Sequence, residues 1–559
     1  MNSKEGYGIE VKNESSSIHD EPASGEVTEV AYDYHKSHTK RRLESRHVQL
    51  IAIGGSIGSA LFISIGIALV RGGPGSLFLS FFLWSAVFLL VIASCGEMVS
   101  YLPVDSPFIT IAGRVIDPAF EAAVGYNFYI MEAIYIPYEI TAVNGMIHFW
   151  RNDYSPAITF CIQIVMYTVL NVFAVQWYGE SEFWLSLGKL LLAVGLLCFS
   201  FIAMVGGNPQ RDAFGFRYWR DPGAFAEYLA TGTLGRFEGF LAGAMFIAVF
   251  TIVGAEYISM IAGETINPRK VMPRAFKTFF YRLVFFYIGG AISVGVLVPY
   301  NDANLLYKMS TTSGGDATVS PYVVAMENLG ITVLPHIVNA LCLTSAFSAG
   351  NSYLYCSSRC LYGLALKGYA PKWFAICNKQ GVPIYGVALG VGFSLLSLLQ
   401  LGSGTATVFN WLVSLCSGAQ VLNFSFMCVT YLGFYRACKA QGIDRNSFTY
   451  KGWGQPYTAM VGLFFTFVMV ILLGYTNFLP GMWSIENFLY DYLMLFISIF
   501  VFCMWKLVFK TKFVKPEEAD LVSGLREIEE HEIKYYQELE TRNKKDLNMV
   551  QRVLDWIFG

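Results

Sequence analysis

The sequence predicts an all-α integral membrane protein with about twelve transmembrane helices. Of its 559 residues, 54% are hydrophobic and 14% are charged, which is too apolar for a soluble chain with ordinary charged surfaces. Apolar runs of about 20 residues, long enough to cross a bilayer, recur along the chain. The first and sixth runs are interrupted by small residues, and this pattern indicates an inverted repeat of five plus five helices with two further helices.

Twelve apolar runs between two polar tails are candidate spans, here numbered span 1 to span 12. They fall at approximately 49–70, 75–101, 119–149, 157–175, 183–205, 237–263, 277–299, 331–366, 382–402, 407–434, 457–479 and 486–510. The third and eighth runs are long, so we expect each to be tilted or split. The tail of residues 1–48 lacks the short apolar core of a cleavable signal peptide, so span 1 itself is expected to enter the membrane.

Basic residues in the loops predict the orientation of the chain, because cytoplasmic loops are enriched in lysine and arginine. With the first tail inside, the inward loops hold most of them: Arg269, Lys270, Arg274, Lys367, Lys372, Lys379, Arg436, Lys439, Arg445 and Lys451. The outward connection 206–236 opposes this pattern with four arginines. The total predicts that the tails 1–48 and 511–559 both lie in the cytosol, the first of them disordered.

Two interruptions at corresponding positions of the repeat, 54–60 in span 1 and 250–256 in span 6, indicate a binding site at mid-membrane depth. Backbone groups freed by such a break are tolerated in lipid only where protein or a watery cavity satisfies them. Around the first break, amides could bind a substrate carboxylate, and around the second, carbonyls could accept from a substrate ammonium. The residues assigned to these two poles are Ser56, Gly58, Ser59 and Ala60, and Phe250, Thr251, Ile252 and Val253.

Six ordered motifs resemble the fungal amino-acid permeases of the amino acid, polyamine and organocation superfamily. They are IGGSIGSALF at 53–62, GEM at 96–98, YGESEFW at 178–184, GFRYW at 215–219, AGETINPRK at 262–270 and SAGNS at 348–352. The resemblance implies a LeuT-type fold with a permease domain over 49–510, proton-coupled uptake at the plasma membrane, and a substrate held between spans 1 and 6. Spans 3, 8 and 10 would complete the pocket.

Further segments are most similar to the yeast branch of this family that is associated with carnitine and polyamine uptake. They are IPYEI at 136–140, YCSSR at 355–359 and QVLNF at 420–424. A carboxylate and a cationic nitrogen at opposite ends describe carnitine as well as an amino acid. The family usually has glycine where this chain has Ala60, whose methyl group narrows the approach of a substrate carboxylate to the backbone.

Two acidic residues lie seven positions apart in span 3, and acidic side chains inside a membrane mark functional sites by default. Glu139 fits the pattern of the family, whereas Glu132 stands where most relatives carry a neutral residue. We therefore expect Glu132 to attract a second cationic group, with Tyr135 available for a cation–π contact. The alternative is that Glu132 pairs with a buried cation or reaches outward to the membrane surface.

Two further charged residues are candidates for proton coupling or gating. Glu256 follows the break in span 6 and resembles the coupling or gating acid of the family; alternatively, it steadies the unwound helix by hydrogen bonding. Lys189 lies inside span 5, and a buried lysine can lose its proton during a transport cycle. The alternative for Lys189 is a fixed salt bridge.

Three uncharged polar residues complete the predicted pocket: Asn351 in span 8, and Gln420 and Asn423 in span 10. Most relatives have glycine near position 420, so Gln420 is the strongest candidate for altered selectivity. The alternative is a hydrogen bond from Gln420 to a neighbouring helix.

These patterns favour a secondary importer of amino acids or organic cations such as carnitine and polyamines. The sequence has no phosphate-binding Walker motif, no metal or cofactor motif, no nucleophile with its base, and no basic patch for nucleic acid, so transport driven by ATP and enzyme activity are not expected. The alternative function is a nutrient sensor with a transporter fold and little flux. Serines and lysines in the tails could serve phosphorylation or recruit ubiquitin-ligase machinery.

Overall fold

The computed structural model describes residues 41 and 43–541, apart from 152, 173, 174, 311–319 and 404. Most of the predicted tail 1–48, and residues 542–559 of the second tail, lie outside the described residues. Within them the regular structure is helical, and the all-α prediction is confirmed. Seven helical stretches are long and apolar enough to cross a membrane by length and composition alone. The other five spans are broken, shorter than 18 residues, or richer in polar side chains.

The described helices form the twelve spans in chain order. Span 1 comprises Ser45–Ser56, Ser59–Phe62 and the start of Ser64–Tyr101, the rest of which is span 2. Spans 3, 4 and 5 are Pro118–Ile147, Pro156–Val172 and Val175–Met204. Span 6 comprises Gly232–Glu238, Gly239–Met245, Phe246–Thr251 and Ala255–Met260, and span 7 comprises Pro268–Arg282, Leu283–Ile288 and Gly289–Leu297.

The second half of the chain continues with longer helices. Span 8 is Leu334–Leu366, span 9 is Ile384–Ser394, Leu395–Leu399 and Gln400–Ser403, and spans 10, 11 and 12 are Thr405–Ala440, Tyr457–Leu472 and Ile485–Phe509. Connecting helices are Pro107–Val115, Arg217–Arg220, Ala303–Ser310, Pro321–Asn328 and Lys372–Ala375, and a C-terminal helix covers Leu525–Thr541.

Spans 1 and 2 separate at Gly73, whose φ of 78° lies in the left-handed region that favours glycine. Pro74 follows directly and starts span 2, where its missing amide proton costs no hydrogen bond. Spans 3 and 8, which are predicted to be tilted or split, are both continuous helices. Span 3 has 30 residues and span 8 has 33. At 1.5 Å per residue each is about 45 to 50 Å long, so both extend beyond the apolar part of a bilayer or cross it at a tilt.

Spans 3 and 8 pack closely at the centre of the molecule. A Cβ atom placed on Gly125 of span 3 would lie 2.5 Å from a terminal methyl group of Leu364 in span 8, so a larger residue here would have to displace that side chain. The thiol of Cys360 donates to the carbonyl oxygen of Gly125 at 3.3 Å. The crossing brings the middle of span 3, which carries the predicted acidic residues, into the buried core.

The two ends of the described chain meet at the connection between spans 6 and 7. The amide of Leu43 donates to Glu264, and the amide of Ile266 donates to Leu43. In the C-terminal helix, the hydroxyl of Tyr536 accepts from the Asn267 side chain at 2.7 Å. We call this side of the molecule the terminal face. The connection 205–231, between spans 5 and 6, lies at the opposite end of the helices.

Candidate functional site

The break in span 1 covers Ile57 and Gly58, a narrower segment than the predicted 54–60. Gly58 is extended, with φ −104° and ψ −172°, so the helical hydrogen bonds stop there. Side chains of other spans satisfy two of the freed carbonyls: Lys189 donates to Gly54 at 2.8 Å, and Ser345 donates to Ile57 at 3.4 Å. Ser56 ends the first helical segment, and its side chain lies outside the described part of the structure.

The break in span 6 covers residues 252–254 and lies inside the predicted range 250–256. Gly254 has a φ of 140°, which side-chain-bearing residues rarely adopt. The carbonyl of Val253 accepts from the Tyr287 hydroxyl at 3.4 Å, so this one of the four predicted acceptors is already engaged. The hydroxyl of Thr251 donates back to Ile247 at 2.7 Å and is likewise committed to its own helix.

An aromatic cluster fills the space beside the two breaks. Its rings come from spans 3, 6, 8 and 10: Tyr135, Tyr138, Phe250, Tyr353 and Phe409. Tyr135 stacks on Tyr353 with ring centroids 4.7 Å apart, and Tyr138 meets Phe250 edge-on at 5.2 Å. The hydroxyl of Ser59 in span 1 donates to that of Tyr138 at 3.2 Å. The cluster offers aromatic faces to an apolar or cationic group.

Glu139 faces the break in span 1. A Cβ atom on Gly58 would lie 3.4 Å from a carboxylate oxygen of Glu139 and 3.5 Å from the Tyr353 hydroxyl. Both carboxylate oxygens are buried and lack a hydrogen bond of good geometry among the described residues, and the amide and hydroxyl of Ser59 in span 1 lie nearby. Gly58 and Ala60 retain partial exposure next to this group. The predicted carboxylate-binding pole is therefore lined by a carboxylate of the protein itself.

A second polar group joins spans 3, 6 and 10. The amide of Gln420 donates to one carboxylate oxygen of Glu256 at 2.8 Å, and Glu132 lies within electrostatic reach of Glu256 and beside Tyr257. The two oxygens of Glu132, the second oxygen of Glu256, and both amide atoms of Asn423 are buried without a partner among the described residues. Gln420 thus makes a helix-to-helix hydrogen bond, its predicted alternative role, and its partner is Glu256, a candidate for proton coupling or gating.

Asn351 occupies a separate polar group rather than the predicted pocket. Its amide donates to Glu182 at 2.9 Å, and its oxygen accepts from Asn171 at 2.7 Å. Ser348 also donates to Glu182, at 2.7 Å. Because both ends of the Asn351 amide are engaged, the predicted substrate contact is replaced by a structural one. The sequence pattern does not single out Glu182, because the predicted fifth span begins at residue 183, whereas the helix begins at Val175.

Lys189 lies in span 5, two turns beyond Glu182. It makes no ion pair with a carboxylate of the described residues, although Glu182 and Glu139 are both within electrostatic reach. Its hydrogen bond to Gly54 holds the unwound end of span 1 instead. The alternative prediction, a fixed salt bridge of Lys189, is therefore not found among the described residues.

Comparisons with known proteins agree with this architecture. Residues 47–517 match the amino acid permease family. The general amino acid permease AGP2 of Saccharomyces cerevisiae is 48% identical over 504 residues, which cover 89% of this chain and 84% of that protein. The dicarboxylic amino acid permease of the same yeast is 38% identical over 523 residues, covering 93% of this chain and 85% of that protein.

Among solved structures, a mutant manganese transporter of Eremococcus coleocola superposes with a TM-score of 0.51 at 12% identity, covering 87% of this chain and 97% of that one. At this identity the likeness shows the fold alone, and it confirms the LeuT-type arrangement implied by the resemblance. The family match and the relatives show a multi-pass membrane transporter of amino acids, not an enzyme. The chain belongs to the amino acid permease family.

Proposed function

We propose that this permease is a proton-coupled importer at the plasma membrane, with both termini in the cytosol, and that it takes organic cations such as carnitine and polyamines as well as amino acids. The observation that carries the proposal is the buried carboxyl group of Glu139 at the break in span 1, together with the carboxyl pair Glu132 and Glu256 near the aromatic cluster. Among the described residues, none of the three carboxylates forms an ion pair.

Proton coupling follows from the position of Glu139. A substrate carboxylate bound to the amides of residues 58–60 would lie next to the carboxylate of Glu139. Two like charges in a medium of low dielectric repel strongly, so binding requires that Glu139 carries a proton. Substrate and proton would then enter together, and release of one would favour release of the other. Lys189 would influence the protonation of Glu139 through its positive charge. Glu256 would influence the release of substrate and proton through its gating position at the break in span 6.

The capacity for organic cations follows from Glu132 and Glu256. Two buried carboxylates within electrostatic reach of each other are unfavourable unless a proton or a cation offsets their charge. The ring of Tyr135 provides a face for a quaternary ammonium or a second amino group. When an amino acid binds, we expect the pair Glu132 and Glu256 to keep a bound proton. When carnitine or a polyamine binds, we expect its cationic group to lie beside this pair instead.

The test is uptake of radiolabelled carnitine, spermidine and several amino acids into yeast cells that lack their own permeases, with and without a protonophore. Saturable uptake that the protonophore abolishes would support the proposal. Glu132→Gln should weaken competition by spermidine about tenfold or more and leave competition by neutral amino acids unchanged. The matched control is Glu227→Gln, because Glu227 is exposed in the connection 205–231.

Three outcomes would contradict parts of the proposal. Unchanged selectivity of the Glu132→Gln variant would remove Glu132 from cation recognition. Saturable uptake that resists the protonophore would exclude proton coupling. Substrate binding to the purified protein without saturable uptake in cells would favour the nutrient sensor.

A further inference from the structure

Span 7 contains a buried arginine that has no carboxylate partner. Arg282 is the last residue of the helix Pro268–Arg282, and 4% of its surface is exposed. Among the described residues it forms no ion pair, and the one charge-bearing neighbour of its guanidinium is the phenol of Tyr287. An ionised side chain inside a membrane protein is costly and marks a functional site by default. The proposed import mechanism does not use Arg282.

The hydrogen bonds of Arg282 leave one of its donors unused. Its Nη2 atom donates to the side-chain oxygen of Gln49 in span 1 and to the hydroxyl of Thr278, both at 3.2 Å. Its Nη1 atom is buried without a partner among the described residues, and so is the side-chain nitrogen of Gln49. Two neighbouring side chains therefore each carry an unused donor. An acceptor from outside the chain would satisfy them, and the charge of the guanidinium favours an anion.

The helix that ends at Arg282 also has a basic surface. It contains five basic residues and no acidic residue. Lys270, Arg274 and Lys277 are exposed and stand four and three positions apart, so they lie on one face of the helix. We call these three residues the basic stripe. Because the helix begins at the terminal face, the stripe leads from there toward Arg282. Basic surfaces of this kind attract anionic lipid head groups.

Beyond the basic stripe the same span turns apolar and exposed. Tyr281 and Phe285 are 61% and 59% exposed, as expected of side chains that face lipid. Thr278 is half-buried and precedes Arg282 by one helical turn, so the protein surface reaches the hydroxyl that contacts the guanidinium. An anion bound next to Lys277 would thus have exposed aromatic rings beside it. Acyl chains could pack on those rings, which favours a phospholipid over a free ion.

We propose that Arg282, Gln49, Thr278 and Lys277 form a binding site for the phosphate group of an anionic phospholipid in the leaflet at the terminal face. Arg282 donates to the phosphate through its unused Nη1 atom, and Gln49 donates through its side-chain nitrogen. Lys277 supplies a second positive charge at the exposed edge. Because Gln49 belongs to the part of span 1 before the break, the bound lipid would hold that part against span 7. The site does not depend on the proposed import function.

The experiment is native mass spectrometry of the purified, delipidated full-length protein, titrated separately with phosphatidylserine and with phosphatidylcholine of the same acyl chains. We expect one tightly bound phosphatidylserine per chain, and binding of phosphatidylcholine at least about tenfold weaker, because its quaternary ammonium is repelled by the basic stripe. Arg282→Gln should weaken phosphatidylserine binding about tenfold or more, and Lys277→Gln about threefold. Arg282→Lys keeps the charge and should restore part of the affinity. Lys379→Gln removes an exposed loop lysine and is the control with unchanged affinity.

Inorganic phosphate carries the same chemical group as the lipid and is added as a competitor. Displacement of the lipid only at much higher phosphate concentrations would support a phospholipid as the ligand. Displacement at equal concentrations would support the phosphate site with free phosphate as its source.

Two results would overturn the proposal. One is equal affinity for phosphatidylserine in the wild type, Arg282→Gln and Lys277→Gln. The other is equal binding of phosphatidylserine and phosphatidylcholine, which would leave the basic stripe without a role. Lys277 is exposed, so if Arg282→Gln fails to fold, as judged by size-exclusion chromatography, unchanged affinity in Lys277→Gln is sufficient to overturn the site. The assay needs no uptake, so failure of the import function would leave its result unaffected.

Discussion

Lys189 in span 5 donates a hydrogen bond of 2.8 Å to the carbonyl oxygen of Gly54 in span 1. In a continuous helix this carbonyl would accept from the amide of Gly58, but Gly58 is extended and the bond is lost. The lysine therefore replaces a main-chain donor at the point where span 1 unwinds. Because Glu182 and Glu139 are within electrostatic reach, the same ammonium links the broken helix to two buried carboxylates.

The variant Lys189→Met should destabilise the protein and abolish most uptake. It leaves the Gly54 carbonyl without a donor and removes the cation near the two carboxylates, a combined cost of about 2 to 5 kcal/mol. The measurements are the thermal unfolding midpoint in detergent and initial uptake rates at matched surface expression. Lys379→Met is the control, since Lys379 is exposed in a loop. A Lys189→Met protein with unchanged stability would show that the bond contributes little.

The variant Gln420→Leu should reduce stability by about 1 to 3 kcal/mol, because it leaves the buried carboxylate of Glu256 without its donor. Gln163 in span 4 provides a matched control. It is also buried, but neither of its amide atoms has a partner among the described residues. Gln163→Leu should therefore be neutral or stabilising. Equal destabilisation by both substitutions, measured by thermal unfolding, would refute the assigned role of the Gln420 bond.

The variant Gly350→Ala should disturb the substrate site by crowding the side chains next to Glu139. A Cβ atom at this position in span 8 would lie 2.2 Å from the hydroxyl of Tyr167 and 3.3 Å from the Cβ of Glu139. Tyr167 is fully buried and cannot move aside freely, so we expect a cost of about 1 to 3 kcal/mol and weaker substrate binding. Gly195→Ala is the control, because a Cβ there meets no atom within 4 Å. Wild-type behaviour of Gly350→Ala would contradict this packing.

Docking of the C-terminal helix should depend on pH through Glu532. Burial raises the pKa of this carboxyl group, and the nearby amide and guanidinium of Arg269 offset the effect only in part. A raised pKa in the docked state means that the docked helix binds the proton more tightly than the released helix does. Docking is therefore strongest at low pH and weakens as the pH rises above the ordinary carboxyl range.

Hydrogen exchange of residues 525–541 at about pH 5 and about pH 7.5 would measure this dependence. Glu532→Gln should remove it without weakening the docked state. Tyr536→Phe loses the hydrogen bond from Asn267 and should speed exchange at both pH values. Faster exchange in Glu532→Gln than in the wild type at both values would contradict the prediction.

The positions of the spans and of the two breaks could be predicted because their signals are local. The length of an apolar run can be counted directly and compared with the thickness of a bilayer. Gly58 and Gly254 weaken the helices in which they lie. Acidic residues inside an apolar run are conspicuous for the same reason, so Glu132, Glu139 and Glu256 were found. Glu182 lies outside the predicted fifth span because residues 175–182 are too polar to form part of an apolar run, although the helix begins at Val175.

The sequence by itself determined the class of fold, the number of spans, the two interrupted helices and the family. Only the tertiary structure decided which polar groups meet: Lys189 with Gly54, Gln420 with Glu256, and Asn351 with Glu182 rather than with the pocket. The reason is physical. Apolar length and helix weakness are properties of neighbouring residues, whereas a partner across helices depends on the rotation and depth at which each helix packs. No repeat or spacing within one span fixes that rotation relative to another.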